Sequence, residues 1–496
     1  GTAITTGDRN SAVGMSALVA NTTGSFNAAL GYESLKANTT GGQNTGLGDR
    51  TLLANTTGAL NTAVGQGSLA ANTTASNNVA VGVAALEANT TGTENVAVGA
   101  SALTDNTTNG YNTAVGFESL KVNTTGNKNT AVGRKSLAAN TTGIENVAVG
   151  YDCLDANTTA SGNTAIGKSA LGANTTGASN TSVGKSALQL NTTGGSNTAS
   201  GFEALRYNTT GAQNTAVGQG ALLASTTSSY NVAIGQAASG SNTTGDSNVS
   251  VGQAALYYNT TGQYITAIGR NALTASATGS NSTAIGFESL KATVSTSTAY
   301  GNTAIGKSSG YNITTGYNNT MIGEGSRGDQ PSTNDQVVLG SNVQSVGGGY
   351  ITLGIGTSRT YVSAGATSWA GTSDLRLKDN ITTSTAGLSF INDLRPITFE
   401  WKAKGDVPSE LNYYEKGSTE RVNNTDKVQH GFLAQEIKAT IDAHPEIKSG
   451  HNMWMEQGDG TQGIAQGQLV PMLVKAIQEL SAQNAALEAR LTALEA

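Results

Sequence analysis

The sequence predicts a mainly β chain: a parallel β-solenoid of about 20 coils, followed by an α+β domain that ends in a coiled coil. Three observations carry this reading. A five-residue mark, Asn-Thr-Ala-Val-Gly and its variants, begins at residue 10 and returns every 17 residues as far as 282. Rare residue types are segregated: all five prolines lie beyond residue 330, all three tryptophans beyond 365 and all three histidines beyond 425. Near the C-terminus, apolar residues alternate spacings of three and four.

The solenoid comes first, assigned to residues 1–345. After 282 one 20-residue step leads to 302, and 17-residue steps resume to 319 and 336, which makes 20 copies of the mark. Glycine closes every mark, from Gly14 to Gly340, and the residue before it is aliphatic in all but one, where Ser200 stands. A leucine follows in register, from Leu18 onward, and then Asn-Thr-Thr-Gly, first at Asn21–Gly24. Seventeen residues are too few for two packed helices, whereas two short strands with tight corners fit. Stacking sets Val on Val, Leu on Leu and Asn on Asn, and the core becomes continuous only through neighbouring coils. At the inter-strand spacing, the rod would be about 95 Å long. Alanine in mid-strand leaves room for another layer or another chain. Proline is absent from the repeats before Pro331, because the backbone N–H groups are needed for the ladder.

Side readings of the repeat are weaker. Asn-Thr-Thr formally matches a glycosylation sequon, but a turn that favours Asn and Thr explains it. Threonine ladders order water only on a flat face, and these sit beside a glycine corner, so an ice-binding solenoid is the lesser alternative. Cys153 occupies the position of Ser or Ala in other coils and reads as a packed thiol.

Composition narrows the function. With 64 glycines, 12% charged and 5% aromatic residues among 496, the chain is unlike an average enzyme, yet its apolar fraction of 37% is too high for solvated disorder. A net charge of −6 offers no footprint for nucleic acid, and no run of about 18 apolar residues predicts membrane insertion. Three scattered histidines and one cysteine give no metal-ligand spacing, and the glycines are corners that open no phosphate-binding helix. Neither metal nor cofactor is expected. The opening Gly1-Thr-Ala, with no initiator Met and no signal pattern, reads as a fragment or processed product.

Residues 346–372 form a connector of strand character, and 373–467 a compact α+β domain with ordinary charge and aromatic content. His430–Ile437 is read as the start of a helix. In 468–496, Val470, Leu473, Ile477, Leu480, Asn484, Leu487, Leu491 and Leu494 make an a/d seam, with Pro471 tolerated in the first turn. Such a seam demands a partner helix, and Asn484 at an a position fixes register.

Two resemblances sharpen the reading. The marks in about 10–340 resemble the head repeats of trimeric autotransporter adhesins, which implies a left-handed parallel β-roll packed as a trimer. Residues 373–496 resemble the C-terminal intramolecular chaperone auto-processing domain of phage endosialidases and tail fibres. That likeness rests on Ser373–Lys378, Leu394–Lys402, His430–Glu436 and Leu469–Leu480. It implies a homotrimer whose C-terminal domain aids folding and then cuts itself off. Carried over, Ser373 is the nucleophile and Lys378 its base, with cleavage between Thr372 and Ser373. A lysine serves as base only where burial or nearby cations keep it neutral. Arg376, Asp374 and His430 are accessory candidates.

The resulting expectation is a tail fibre of a tailed bacteriophage, assembled in the host cytoplasm and carried on the virion. It would bind other tail proteins through its N-terminal end and a host-surface receptor elsewhere, with departures from the repeat at Val294–Gly301 and Asp329–Asp335 as candidate contacts. Self-cleavage would be its single catalytic turnover. The alternative is a bacterial trimeric surface adhesin, which calls for an amphipathic membrane-anchoring barrel where this sequence has a coiled coil.

Overall fold

The computed structural model describes residues 5–293, 299–364, 370–371, 373, 375–423, 425–447, 453–457 and 460–495. The chain divides into two compact units, Gly1–Thr372 and Ser373–Ala496.

The first unit is the solenoid. Twenty three-residue strands, from β1 (Ser11–Val13) to β20 (Val337–Leu339), pair in parallel, each with the strand of the next coil. The register is one repeat per step, as in Thr113 with Thr130, Ala114 with Ala131 and Val115 with Val132. The 20-residue coil keeps it, pairing Thr283 with Thr303; Val294–Thr298 lie outside the described residues. The connector closes the ladder. β21 (Tyr350–Ile355) adds in parallel to β20, β22 (Ser358–Ser363) folds back antiparallel on β21, and β23 (Ala370–Gly371) pairs antiparallel with β22.

Each described coil has one strand rather than two. Its other sides are stacked turns whose amides donate to the next coil, such as Leu120 N–H to the Ser136 carbonyl at 2.9 Å and Thr124 N–H to the Thr141 carbonyl at 3.0 Å. These turns use left-handed backbone at an unexpected residue. The repeated leucines, Leu120 among them, have φ between 48 and 55°. That conformation costs a non-glycine residue roughly 1–2 kcal/mol. Complete burial of the leucine returns about 2–3 kcal/mol and the inter-coil hydrogen bond is kept, so burial wins.

The direction of the strand side chains also differs from expectation. Mid-strand alanines such as Ala114 point inward and are fully buried against the leucine column, so the room they leave is inside the coil. The aliphatic residue before each glycine points outward and stays partly exposed, as Ile166 does at 41%. Two buried asparagine ladders line the interior. Asn123 Nδ2 donates to Asn106 Oδ1 at 3.0 Å and to the Gly126 carbonyl at 2.8 Å, and Asn129 N–H donates to Asn112 Oδ1 at 3.0 Å. These bonds satisfy amides that would otherwise be costly in a dry core. They also bury the asparagine of the Asn-Thr-Thr turn, closed to glycosyl transfer. Cys153 packs in the same interior, where burial pushes its thiol up to about 12.

The second unit is α+β. Helix α1 (Leu388–Asn392), strands β24 (Ile397–Phe399) and β25 (Gln429–Gly431), helix α2 (Ala434–Ala443), strands β26 (Trp454–Glu456) and β27 (Gln462–Ile464), and the 27-residue helix α3 (Leu469–Glu495) follow in order. Ala386, Phe390, Ile437, Ile441, Ile447, Met453 and Leu469 form its core. His430 lies on β25 opposite Thr398, ahead of the helix it was expected to begin.

The glycine that closes each strand is a tight point of the stack. Gly116 has φ +136°, and a Cβ there would stand 2.5 Å from the Gly133 carbonyl oxygen. Gly220, at φ +64°, has open space around it. Gly116→Ala therefore opens the coils around residues 99–133 to limited proteolysis. Gly220→Ala, costing about 1 kcal/mol, leaves the solenoid as resistant as the parent.

Candidate functional site

The second unit begins at the residue that carries the predicted nucleophile. A single 3-10 turn, Leu375–Leu377, brings Lys378 back toward Ser373: the Lys378 amide donates to the Leu375 carbonyl at 3.1 Å, and Nζ donates to Ser373 Oγ at 2.7 Å. Five residues apart in sequence, the two side chains are thus in direct contact. An ammonium donating to a hydroxyl is the resting state of such a pair. Deprotonating the serine requires the lysine to give up a proton first.

The surroundings are open. Ser373, Arg376 and Lys378 are exposed, and Leu375 and Leu377 are 71% and 73% exposed. Thr372 and Asp374 lie outside the described residues. His430 is exposed on β25, and no hydrogen bond among the described residues joins it to Ser373 or Lys378. The structure brings the serine and the lysine together.

The segments quoted for the resemblance are tied together by contacts that sequence spacing did not show. Arg395 forms a two-pronged ion pair with Glu436 across 41 residues, one arm 3.0 Å from Nε to Oε2 and the other from Nη2 to Oε1, and the guanidinium holds that carboxyl below its ordinary range. Glu479 on α3 accepts the Leu388 amide at the start of α1 at 2.7 Å, and that bond lowers its carboxyl too.

One clamped polar group was missed altogether. His444, 8% exposed, is gripped between Asp393 Oδ2 on Nε2 and Glu446 Oε1 on Nδ1, both at 2.8 Å, with the Phe390 ring edge-on at 5.4 Å. The Asp393 hydrogen bond first, and the Glu446 bond second, raise the imidazole above its ordinary pKa. Only the local His444-Pro-Glu446 string hinted at half of this clamp; Asp393 is 51 residues away.

Along α3 the seam residues Val470, Leu473, Ile477, Leu480, Leu487, Leu491 and Leu494 are exposed, as is Asn484. Among the described residues, no group of three or more His, Cys, Asp or Glu side chains is arranged to hold a metal, and no helix is long and apolar enough to cross a membrane.

The His444 clamp gives a pH signature. A raised folded pKa means stabilisation present below the unfolded value near 6.5 and lost as pH rises through the folded one; the lowered Glu446 carboxyl loses its share as pH falls. Urea unfolding of the full chain, followed by tryptophan fluorescence (Trp401 and Trp454), should therefore show a midpoint that drops from about pH 6 to about pH 9. His444→Gln should flatten that drop.

Residues 373–444 match the family model described as the chaperone of endosialidase. No curated protein and no solved structure matches the chain.

Proposed function

We propose that this chain is a homotrimeric fibre of a tailed bacteriophage whose C-terminal unit directs folding and then severs itself between Thr372 and Ser373. The supporting observation is a coincidence at one residue. The match to the chaperone-of-endosialidase model begins at Ser373, where the two units divide, and Lys378 Nζ lies 2.7 Å from its hydroxyl.

In the proposed reaction, neutral Lys378 takes the Ser373 hydroxyl proton and Oγ attacks the Thr372 carbonyl carbon. The C–N bond breaks as the proton passes to the Ser373 nitrogen, leaving a Thr372–Ser373 ester. Water hydrolyses the ester to a Thr372 carboxylate and restores the hydroxyl of a fragment that starts at Ser373. The exposure of the pair in one chain supplies the timing. Neighbouring copies that cover Leu375 and Leu377 would desolvate Lys378 and favour its neutral form, so cleavage follows assembly.

Two exposed apolar surfaces support assembly. One is the α3 seam. The other is the outward row of Val, Ile and Leu on the solenoid, which repeats a partly exposed apolar side chain from coil to coil. A trimeric seed formed by the second unit would align three solenoids, whose long-range parallel pairing is otherwise slow to form and exposes unpaired edges. The cut then removes the seed. Within the virion, the N-terminal end would join other tail proteins and the shaft would present departures from the repeat, such as Asp329–Asp335, to a receptor on the host surface.

Denatured intact mass tests the reaction. The parent should lose about 12–13 kDa, the share of residues 373–496 in a 49.9 kDa chain, while Ser373→Ala and Lys378→Met stay full length. Full-length parent under assembling conditions would overturn it. Sedimentation tests the assembly separately: Ser373→Ala should run as three chains, about 150 kDa from 49.9 kDa each, and Ile477→Lys with Leu480→Lys should run as monomer and stay uncut.

A further inference from the structure

The solenoid carries a second, longer period. Gly31-Tyr-Glu-Ser-Leu-Lys36 returns as Gly116-Phe-Glu-Ser-Leu-Lys121, Gly201-Phe-Glu-Ala-Leu-Arg206 and Gly286-Phe-Glu-Ser-Leu-Lys291, five 17-residue coils apart each time. The four clusters are built alike. The acid and base of each pair lie 2.5–2.8 Å apart. A cation from an adjacent coil stands 5.3–6.0 Å from each ring centroid. Even so, the rings stay 38–47% exposed. They stand two residues beyond the outward aliphatic row and continue its apolar surface.

The aliphatic row alone cannot align two copies of this chain. It is Val, Ile or Leu in every coil but the one with Ser200, so a slip by a whole coil replaces each contact by an equivalent one. The clusters can align them. At about 24 Å intervals, each offers ring, acid and base together. A slip of one to four coils takes all four away from their counterparts. Each patch carries both an acid and a base, so it complements a copy of itself better than a partner of single charge.

We infer that the four aromatic–acid–base coils are register keys, patches that pair with the same coil of a neighbouring copy and so fix the vertical alignment of the fibre. This rests on the oligomer proposed above. A slip of five coils restores three of the four pairings, and the seam of α3 is left to exclude it.

Disulfide trapping reads the register. Chains bearing Val115→Cys and chains bearing Val149→Cys, two coils and about 10 Å apart, are co-expressed and oxidised. Their cysteines meet only after a slip, since a disulfide spans at most about 7 Å between Cα atoms. Cys153, buried with its thiol raised to about 12, stays silent. In the parent, like pairs join and mixed pairs are rare. Replacing Tyr32, Phe117, Phe202 and Phe287 by serine should raise mixed pairs about tenfold. A second variant with Glu33, Glu118, Glu203 and Glu288 changed to Gln should raise them less, and it keeps the rings should the first fail to fold. Oligomers with unchanged register in both variants would overturn the inference and leave the assembly standing. A monomeric parent would overturn both.

Discussion

The first unit depends on one constraint: most of each coil's backbone is satisfied on the neighbouring coils, and only short turn bonds, such as Asn123 N–H to the Leu120 carbonyl, close within the coil. Strand, turn and asparagine side chain all find hydrogen-bond partners on an adjoining repeat, as Thr124 does on Thr141 and Asn129 on Asn112. A coil that must match its neighbour has to keep residues of similar size at its inward positions, as Ser34, Thr51, Ser68, Ala85 and Cys153 do at one of them. This accounts for the strictness of the repeat, and for why variation collects on the outside. The same constraint makes the middle of the stack intolerant of a single extra Cβ at Gly116 while its corners accept Arg, Phe or Lys.

That dependence also explains the contrast between the two units. The solenoid is held mainly between neighbouring coils, so its cooperativity is that of a one-dimensional stack. The second unit is closed by contacts far apart in sequence: Arg395 with Glu436, Asp393 with His444, Glu479 with the start of α1. A unit of that kind folds as a piece and can act before the stack is complete, as the proposed role in folding requires.

Much of this was legible beforehand. The period and the coil count followed from spacing alone, because stacking demands identity and identity is visible in a sequence. The number of strands per coil was misjudged for a physical reason: left-handed turns are normally marked by Gly or Asn, and here a buried leucine carries the positive φ. The orientation of Ala114 and Val115 was equally ambiguous, since a three-residue strand has two faces and only the interior volume decides which takes alanine. The closeness of Ser373 and Lys378 was suggested by resemblance, their spacing of five being uninformative by itself. The His444 clamp could not be found, because Asp393, the partner that completes it, lies 51 residues away at the end of α1.

The uniform register has a genetic consequence. Because every described step of the ladder, the 20-residue coil included, hands on the same row of donors and acceptors, whole coils are interchangeable cassettes. Unequal recombination between near-identical coding segments would delete or duplicate them without disturbing the fold on either side. Length then becomes a quantised trait, adjustable in increments of about 4.8 Å, and a lineage could retune the reach of the rod without redesigning a single contact within it.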